Sequence, residues 1–359
     1  MVKENKEDNE GRTKKVKIST IFLSTIIFLI FLFTILVVIF YKFEDNFVSD
    51  NLGKALPLPA VYIKDTGIIS TNKVFDNLKS IKTFYKNQDF SSTGYRVDFQ
   101  TKEGLMRLKI REKELINKMI EDKVIEDIAK EKGVRISDSL VDESVERKIN
   151  EYGSDDFVRD NLENLYGWSL DDFKEKIVKP SLYKDELEDW VSENAYKEKN
   201  EKEKDEIEKA FQKIESGEDF ESVAEDTSEG ITSKNGGHLG LFKKEYIAAV
   251  LRKDVTSLNV DEVSGVLESK LGYHIIKLDD KNVDEEGEVI FDLSQIYVPK
   301  GSFAEWIGEK IKELEVKVLV KDYVWNQDTG MIEFSDSELM EFEKKSMKES
   351  VEDASLLPV

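Results

Sequence analysis

The pattern of apolar and polar positions divides this chain into stretches of different period. From Ile18 to Tyr41 no residue is charged, and Ile, Leu, Phe and Val dominate. At a rise of about 1.5 Å per residue this run makes a helix about 36 Å long, enough to cross a hydrocarbon core of about 30 Å. A cleaved signal peptide would have a shorter apolar region followed by small residues, whereas YKFEDNFVSD follows here. The run therefore reads as an uncleaved signal anchor. Lys3, Lys6, Arg12, Lys14, Lys15 and Lys17 precede it and Glu44, Asp45 and Asp50 follow it. That asymmetry keeps residues 1–17 in the cytoplasm and puts the rest outside, as a single-pass protein of the cell membrane.

After a polar stalk over 42–55, LPLPAVYI (Leu56 to Ile63) predicts an edge strand, because Pro57 and Pro59 cannot donate to a ladder. From Leu105 the period becomes helical. Leu108, Leu115, Ile116, Met119, Ile120, Ile125 and Ile128 fall on one broad face, with Gly133 placed to end the helix. Ser137 or Asp138 caps the next helix, through Val141, Val145 and Ile149. Ser154 opens a short helix to about Tyr166. Ser169 opens another, with Asp172 placed for a capping box and a kink predicted at Pro180. The charged run Tyr196–Lys209 reads as a solvated helix or linker. Further on, Phe303 to Leu314 forms a short amphipathic helix, Val316–Val320 and Asp322–Trp325 read as strands, and Asp328-Thr329-Gly330 as a hairpin turn. The acidic tail from Ser335 is given no role.

Composition narrows the chemistry. The chain has 359 residues, 53 Lys+Arg against 75 Asp+Glu, and a formal net charge of −22, which repels phosphate backbones and argues against nucleic acid as a partner. There is no cysteine, which excludes disulfides, thiol nucleophiles and iron–sulfur clusters. His238 and His274 are the only histidines, so a His-rich metal site is excluded as well. No cofactor is implied.

Residues 217–278 carry the distinctive signal. GEDFESVA (Gly217 to Ala224), NGGHLGLF (Asn235 to Phe242), EVSG (Glu262 to Gly265) and GYHIIKL (Gly272 to Leu278) occur in the order and spacing of the parvulin peptidyl-prolyl cis–trans isomerases, and the segment resembles that family. Residues 105–191, with EKGVRISDSLVDESV, resemble the helical chaperone region of SurA- and PrsA-type envelope foldases. The resemblance implies an α+β fold: a transmembrane helix, a helical chaperone-like domain, and a parvulin-like antiparallel sheet with flanking helices. It divides the chain into residues 1–17, the anchor 18–41, a helical domain over 56–200, a parvulin-like domain over 205–300, a helix and strands over 301–334, and the tail 335–359. Val263 and Val266 belong to one strand and Tyr273–Ile276 to another.

In the family the proline pocket is built from two histidines, an acid or thiol, a Met and a Phe. The resemblance places His274 at the second histidine, Ile247 at the Met, Leu251 at the Phe and Gly230 at the acid or thiol; Ser269 and Phe242 also line the site. His238 reads as an exposed loop histidine. No family strand precedes residue 205, yet SQIYV (Ser294 to Val298) resembles the strand that carries the first histidine, with Gln295 in its place. Either the domain is permuted, with this strand moved to its end and Gln295 facing His274, or a truncated second repeat begins near Phe291. The implied clients are unfolded or secreted polypeptides. Two functions remain open, an isomerase and a holdase that binds clients without isomerising them; a structural envelope protein without a client is a third.

Overall fold

The structure is a computed structural model that describes residues 26–28, 30–32, 34, 56–87, 98–284 and 287–354. Most of Ile18–Tyr41 lies outside the described residues, and the anchor reading with it. The described part of that run is helical. Among the described residues no helix is long and apolar enough to cross a membrane. The described chain is α+β, and it divides into two units: residues up to Met119 with Glu315–Asn326 and Met331–Val359, and Ile120–Leu314 with Gln327–Gly330.

The first unit opens with β1 (Pro59–Ile63) paired antiparallel to β2 (Gly67–Ser70), followed by α1 (Thr71–Asn87). Ala60, Val61, Ile63, Ile69, Val74 and Leu78 are buried in these elements. α2 (Lys102–Glu131) begins in this unit and runs into the second. The chain leaves it through Gly133, whose φ of 89° favours glycine.

In the second unit, Ser137 accepts from the Leu140 N–H and caps α3 (Asp138–Tyr152), and Ser154 does the same for α4 (Asp155–Asn161) through Phe157. A π turn over Leu162–Tyr166 continues α4. The Ser169–Asp172 capping box forms and opens α5 (Leu170–Phe173). A second π turn, Lys174–Val178, leads into α6 (Lys179–Asn194), so the irregularity predicted at Pro180 falls in the turn just before it. Proline lacks the N–H and crowds the carbonyl one turn back, and a widened turn relieves both. Val141, Val145 and Val178 form the core of these helices, with Ile149, Phe173 and Leu182 packed against it.

The charged run is helical, α7 (Lys197–Glu215), as one of its two readings had it, and most of its side chains are exposed. Its period hides an apolar edge: Ile207 and Ala210 are buried with Phe220, Val223 and Ala224 of α8 (Phe220–Thr227). Both helices cover one face of a four-stranded antiparallel sheet made by β3 (His238–Lys243), β4 (Leu267–Glu268), β5 (Gly272–Val283) and β6 (Val289–Pro299), in the order β3-β6-β5-β4. The other face carries α9 (Ala249–Ser257). Strand alternation explains the division. Tyr273, Ile275, Ile296 and Val298 face α7 and α8, while Ile276, Leu278 and Leu293 face α9. The strand expected through Val263 and Val266 is not there. Val263 makes a single bridge to Lys277, and the strand starts at Leu267. The buried Ser264 hydroxyl takes the Ile276 N–H that a ladder carbonyl would have taken.

After α10 (Phe303–Lys312), capped by Ser302, the chain returns to the first unit. There β7 (Val316–Val318) pairs with β1, giving the order β2-β1-β7. β1 is thus the middle strand and not an edge. Pro59 sits at its first residue, where a missing N–H costs nothing, and a register irregularity between Pro59 and Val61 frees the rest for pairing on both sides. β8 (Tyr323–Asn326) and β9 (Met331–Phe334) form the predicted hairpin, with Gly330 at φ 66°. The described part of the tail is helical, α11 (Ser337–Ala354).

Candidate functional site

The site is built on the central pair of the four-stranded sheet. β5 and β6 pair in the register His274↔Tyr297 and Ile276↔Gln295. All four side chains therefore lie on one face, the face that carries α9. His274 is buried, 6% exposed. Its Nδ1 lies 3.2 Å from the Gln295 Oε1 and its Nε2 2.8 Å from the Ser269 Oγ. An amide oxygen only accepts, so Nδ1 carries the hydrogen and Nε2 accepts from the Ser269 hydroxyl. Burial holds the His274 pKa below its ordinary value of 6.5, and the Lys300 ammonium adds to this, against the hydrogen bond that His274 donates to Gln295. The ring is accordingly neutral at neutral pH.

Ser269 does more than touch the ring. Its Oγ accepts the N–H groups of Leu271 (3.1 Å) and Gly272 (3.3 Å), so the turn into β5 is folded around that hydroxyl. Gln295 is equally fixed by its backbone: its N–H donates to the Gly237 carbonyl at 2.9 Å, and Gly237, at φ 81°, lies so close to the Gln295 carbonyl that a Cβ would clash. The Asn235–Phe242 glycines thus let a loop pass directly against the strand that carries Gln295.

The apolar half of the site is the neighbouring cluster. Ile247 and Leu251, 6% and 7% exposed, pack with Ile276, Leu278, Phe291 and Leu293, and half-buried Phe242 packs against them. All six residues proposed from the sequence are therefore gathered on one side of the sheet. Ile276 joins the two halves, two residues from His274 and opposite Gln295. Gly230 lies beside Tyr297, whose Cβ and ring edge are 3.7 and 4.0 Å from where a Gly230 Cβ would stand.

Sequence reasoning missed Tyr297 and Ser228. The Tyr297 ring lies 5.1 Å from the His274 ring at an interplanar angle of 30°, and its hydroxyl donates to the Leu271 carbonyl at 2.9 Å. The Ser228 Oγ accepts from both the Gly230 and the Tyr297 N–H, tying the loop of Gly230 to β6. The available signal was the spacing: two residues after Gln295 on a strand, Tyr297 must share its face. His238 is exposed, as expected, but it is the first residue of β3 and not in a loop. It stands away from His274, beside Asp279 and Asp292.

Residues 186–280 match the family model described as Rotamase, PPIC-type PPIASE domain. The chain carries a parvulin-type domain. Over those residues it is similar to a peptidyl-prolyl cis–trans isomerase domain. The match opens within α6 and closes within β5, so β6, which fills the place between β3 and β5, lies beyond it. Among curated relatives, Foldase protein PrsA 2 of Bacillus cereus is 28% identical over 184 residues, 47% of this chain and 64% of its own length. Foldase protein PrsA of Geobacillus kaustophilus is 25% identical over 229 residues, 58% of this chain and 80% of its own. The chain thus spans 64% of the first of these relatives. A crystal structure of PrsA from Bacillus subtilis aligns with 82% of this chain and 93% of its own at 19% identity, with a TM-score of 0.21, too low to bear on the arrangement.

Proposed function

We propose that this chain is a membrane-anchored foldase that isomerises X–Pro bonds in unfolded or secreted polypeptides outside the cytoplasm. The observation that carries the reading is the hydrogen-bonded chain Ser269–His274–Gln295, set on the same sheet face as Ile247, Leu251 and Phe242. X–Pro isomerisation needs neither nucleophile nor cofactor; the barrier of about 18–20 kcal/mol is amide resonance, which a site lowers by holding the ring in an apolar place and favouring the twisted amide. Gln295 spends its Oε1 on His274, which leaves its amide N–H groups to donate to the carbonyl of a twisted X–Pro bond. Ile247, Leu251 and Phe242 supply the apolar side against which the proline ring would rest.

The anchor reading rests on the uncharged run Ile18–Tyr41 and the basic residues before it. The boundaries read from the sequence, 56–200 for the helical domain and 205–300 for the parvulin-like domain, belong to the same proposal. We also read the domain as permuted: β6 fills the central place in the sheet, and its pairing with β5 supports that view over a separate second repeat.

A second reading has its own support. Ile247 and Leu251 are buried by their own neighbours, and Tyr297 stands where Gly230 has no side chain, which favours a holdase whose site is closed by its own core. Exchange NMR on a short X–Pro peptide with the full chain in nanodiscs separates the two. Accelerated cis–trans exchange supports the isomerase; exchange at the uncatalysed rate, with an unfolded client still bound, supports the holdase.

A further inference from the structure

Three titratable side chains outside the isomerase site converge where neighbouring strands depart from regular pairing. The β3–β6 register shifts between His238 and Gly240, and the β5–β6 register shifts between Leu278 and Asp280. A bulge turns side chains away from regular alternation. Here the two irregularities bring His238 from β3, Asp279 from β5 and Asp292 from β6 together. The His238 Nδ1 lies 3.8 Å from the Asp279 Oδ2 and 3.8 Å from the Asp292 Oδ1, and the donor atoms of all three fall within 4.8 Å of one another.

We propose that His238, Asp279 and Asp292 form a binding site for one divalent first-row transition-metal cation, Zn²⁺ being the best match. The distances of 3.8 Å are too long for hydrogen bonds, yet close to the ~3.4 Å that separates ligand atoms placed tetrahedrally about zinc at bonds of about 2.1 Å. A movement of a few tenths of an ångström closes the difference for the two histidine–carboxylate distances, and the two carboxylates, within 4.8 Å of each other, would draw together around the ion. The Asp292 Oδ1 supplies independent support. That oxygen is shielded from solvent with no hydrogen-bond partner, in a side chain that is 26% exposed, and a shielded carboxylate oxygen is costly unless a cation or a donor meets it. Two carboxylates at this separation also repel each other, which a cation between them reverses.

Asp279 is already held as a metal-ligating carboxylate would be. The Ser294 hydroxyl donates to its Oδ2 at 2.6 Å, and the Lys277 ammonium lies 2.9 Å from its Oδ1. The Oδ2 retains a second lone pair for a metal, so Ser294 orients the ligand without blocking it. The His238 side chain is 48% exposed, which leaves an entry path and room for water at the remaining coordination position. One imidazole with two carboxylates suits a borderline cation better than Ca²⁺ or Mg²⁺, which prefer oxygen alone. The ligands come one from each of three adjacent strands, with β6 in the middle. A bound ion would therefore fasten β6 to both neighbours.

With two histidines in the chain, the test has a clean readout. Full-length protein in nanodiscs, with ¹³C-labelled histidine, is titrated with ZnCl₂ in excess MgCl₂, which occupies the acidic surface nonspecifically. We expect saturable binding of one Zn²⁺, a shift of the His238 imidazole signals with those of His274 unmoved, and Zn²⁺ affinity at least tenfold weaker in His238→Ala and Asp292→Asn. The wild-type spectra stand on their own if a variant misfolds. Unmoved His238 signals at saturating Zn²⁺, binding abolished by Mg²⁺, or equal affinity in folded His238→Ala would overturn the assignment. None of these outcomes depends on whether the protein isomerises proline.

Discussion

Tyr297 stands directly opposite His274 across the β5–β6 pair, its ring tilted 30° over the imidazole at 5.1 Å and its hydroxyl bonded to the Leu271 carbonyl. The turn that places Ser269 on one nitrogen of His274 is thereby tied to the ring that covers it. Tyr297→Phe keeps the stacking and loses only the bond to Leu271. We expect a loss of about 1 kcal/mol in chemical denaturation, the worth of one net hydrogen bond. A loss above about 3 kcal/mol would show that the hydroxyl anchors the whole turn.

Gln295 acts on His274 through one contact, so its charge should be legible in the histidine. Gln295→Glu puts a carboxylate against Nδ1–H and should raise the His274 pKa above its wild-type value. The imidazole signals, followed by NMR against pH, read this directly. Gln295→Ala should leave the ring loose and lower isomerase kcat/KM by roughly fivefold, one hydrogen bond in a positioned ring. A wild-type titration curve for His274 in Gln295→Glu would mean that the two side chains do not meet in solution.

His274 also predicts a direction for stability against pH. Its folded pKa lies below the ordinary 6.5 because burial disfavours the charged ring. Between the folded value and 6.5 the unfolded chain binds a proton that the folded chain does not, so stability rises with pH in that window. The contribution is complete above 6.5 and is lost as pH falls towards the folded pKa. Urea denaturation at pH 7.5 and at pH 5.5, compared with His274→Asn, isolates it: the wild type should lose more stability on acidification than the variant.

Leu251 decides whether the apolar half of the site is wall or core. As a core residue packed against Ile276, Leu278 and Leu293, Leu251→Ala should cost about 2–5 kcal/mol. A cost below about 1 kcal/mol, with weakened binding of a proline peptide, would mean that this surface opens to solvent and client in solution.

The sequence alone carried the helix caps at Ser137, Ser154 and Ser169, the end at Gly133 and the hairpin around Gly330, because each is a local contest between a few side-chain and backbone groups. It also carried the glycine-spaced parvulin motifs, and the resemblance they support implied His274, Ser269 and Gln295, which the sheet brings within hydrogen-bonding distance of one another. Three things lay beyond it. β1 looked like an edge, but its neighbour β7 is some 250 residues away in the chain, and no local pattern announces such a partner. The charged helix α7 looked solvated, because a helix needs only a narrow apolar strip, here Ile207 and Ala210, to seat on a sheet. The meeting of His238, Asp279 and Asp292 depends on register shifts in two strand pairs. Only the assembled sheet sets those shifts, since sliding a strand by one residue turns every side chain to the opposite face.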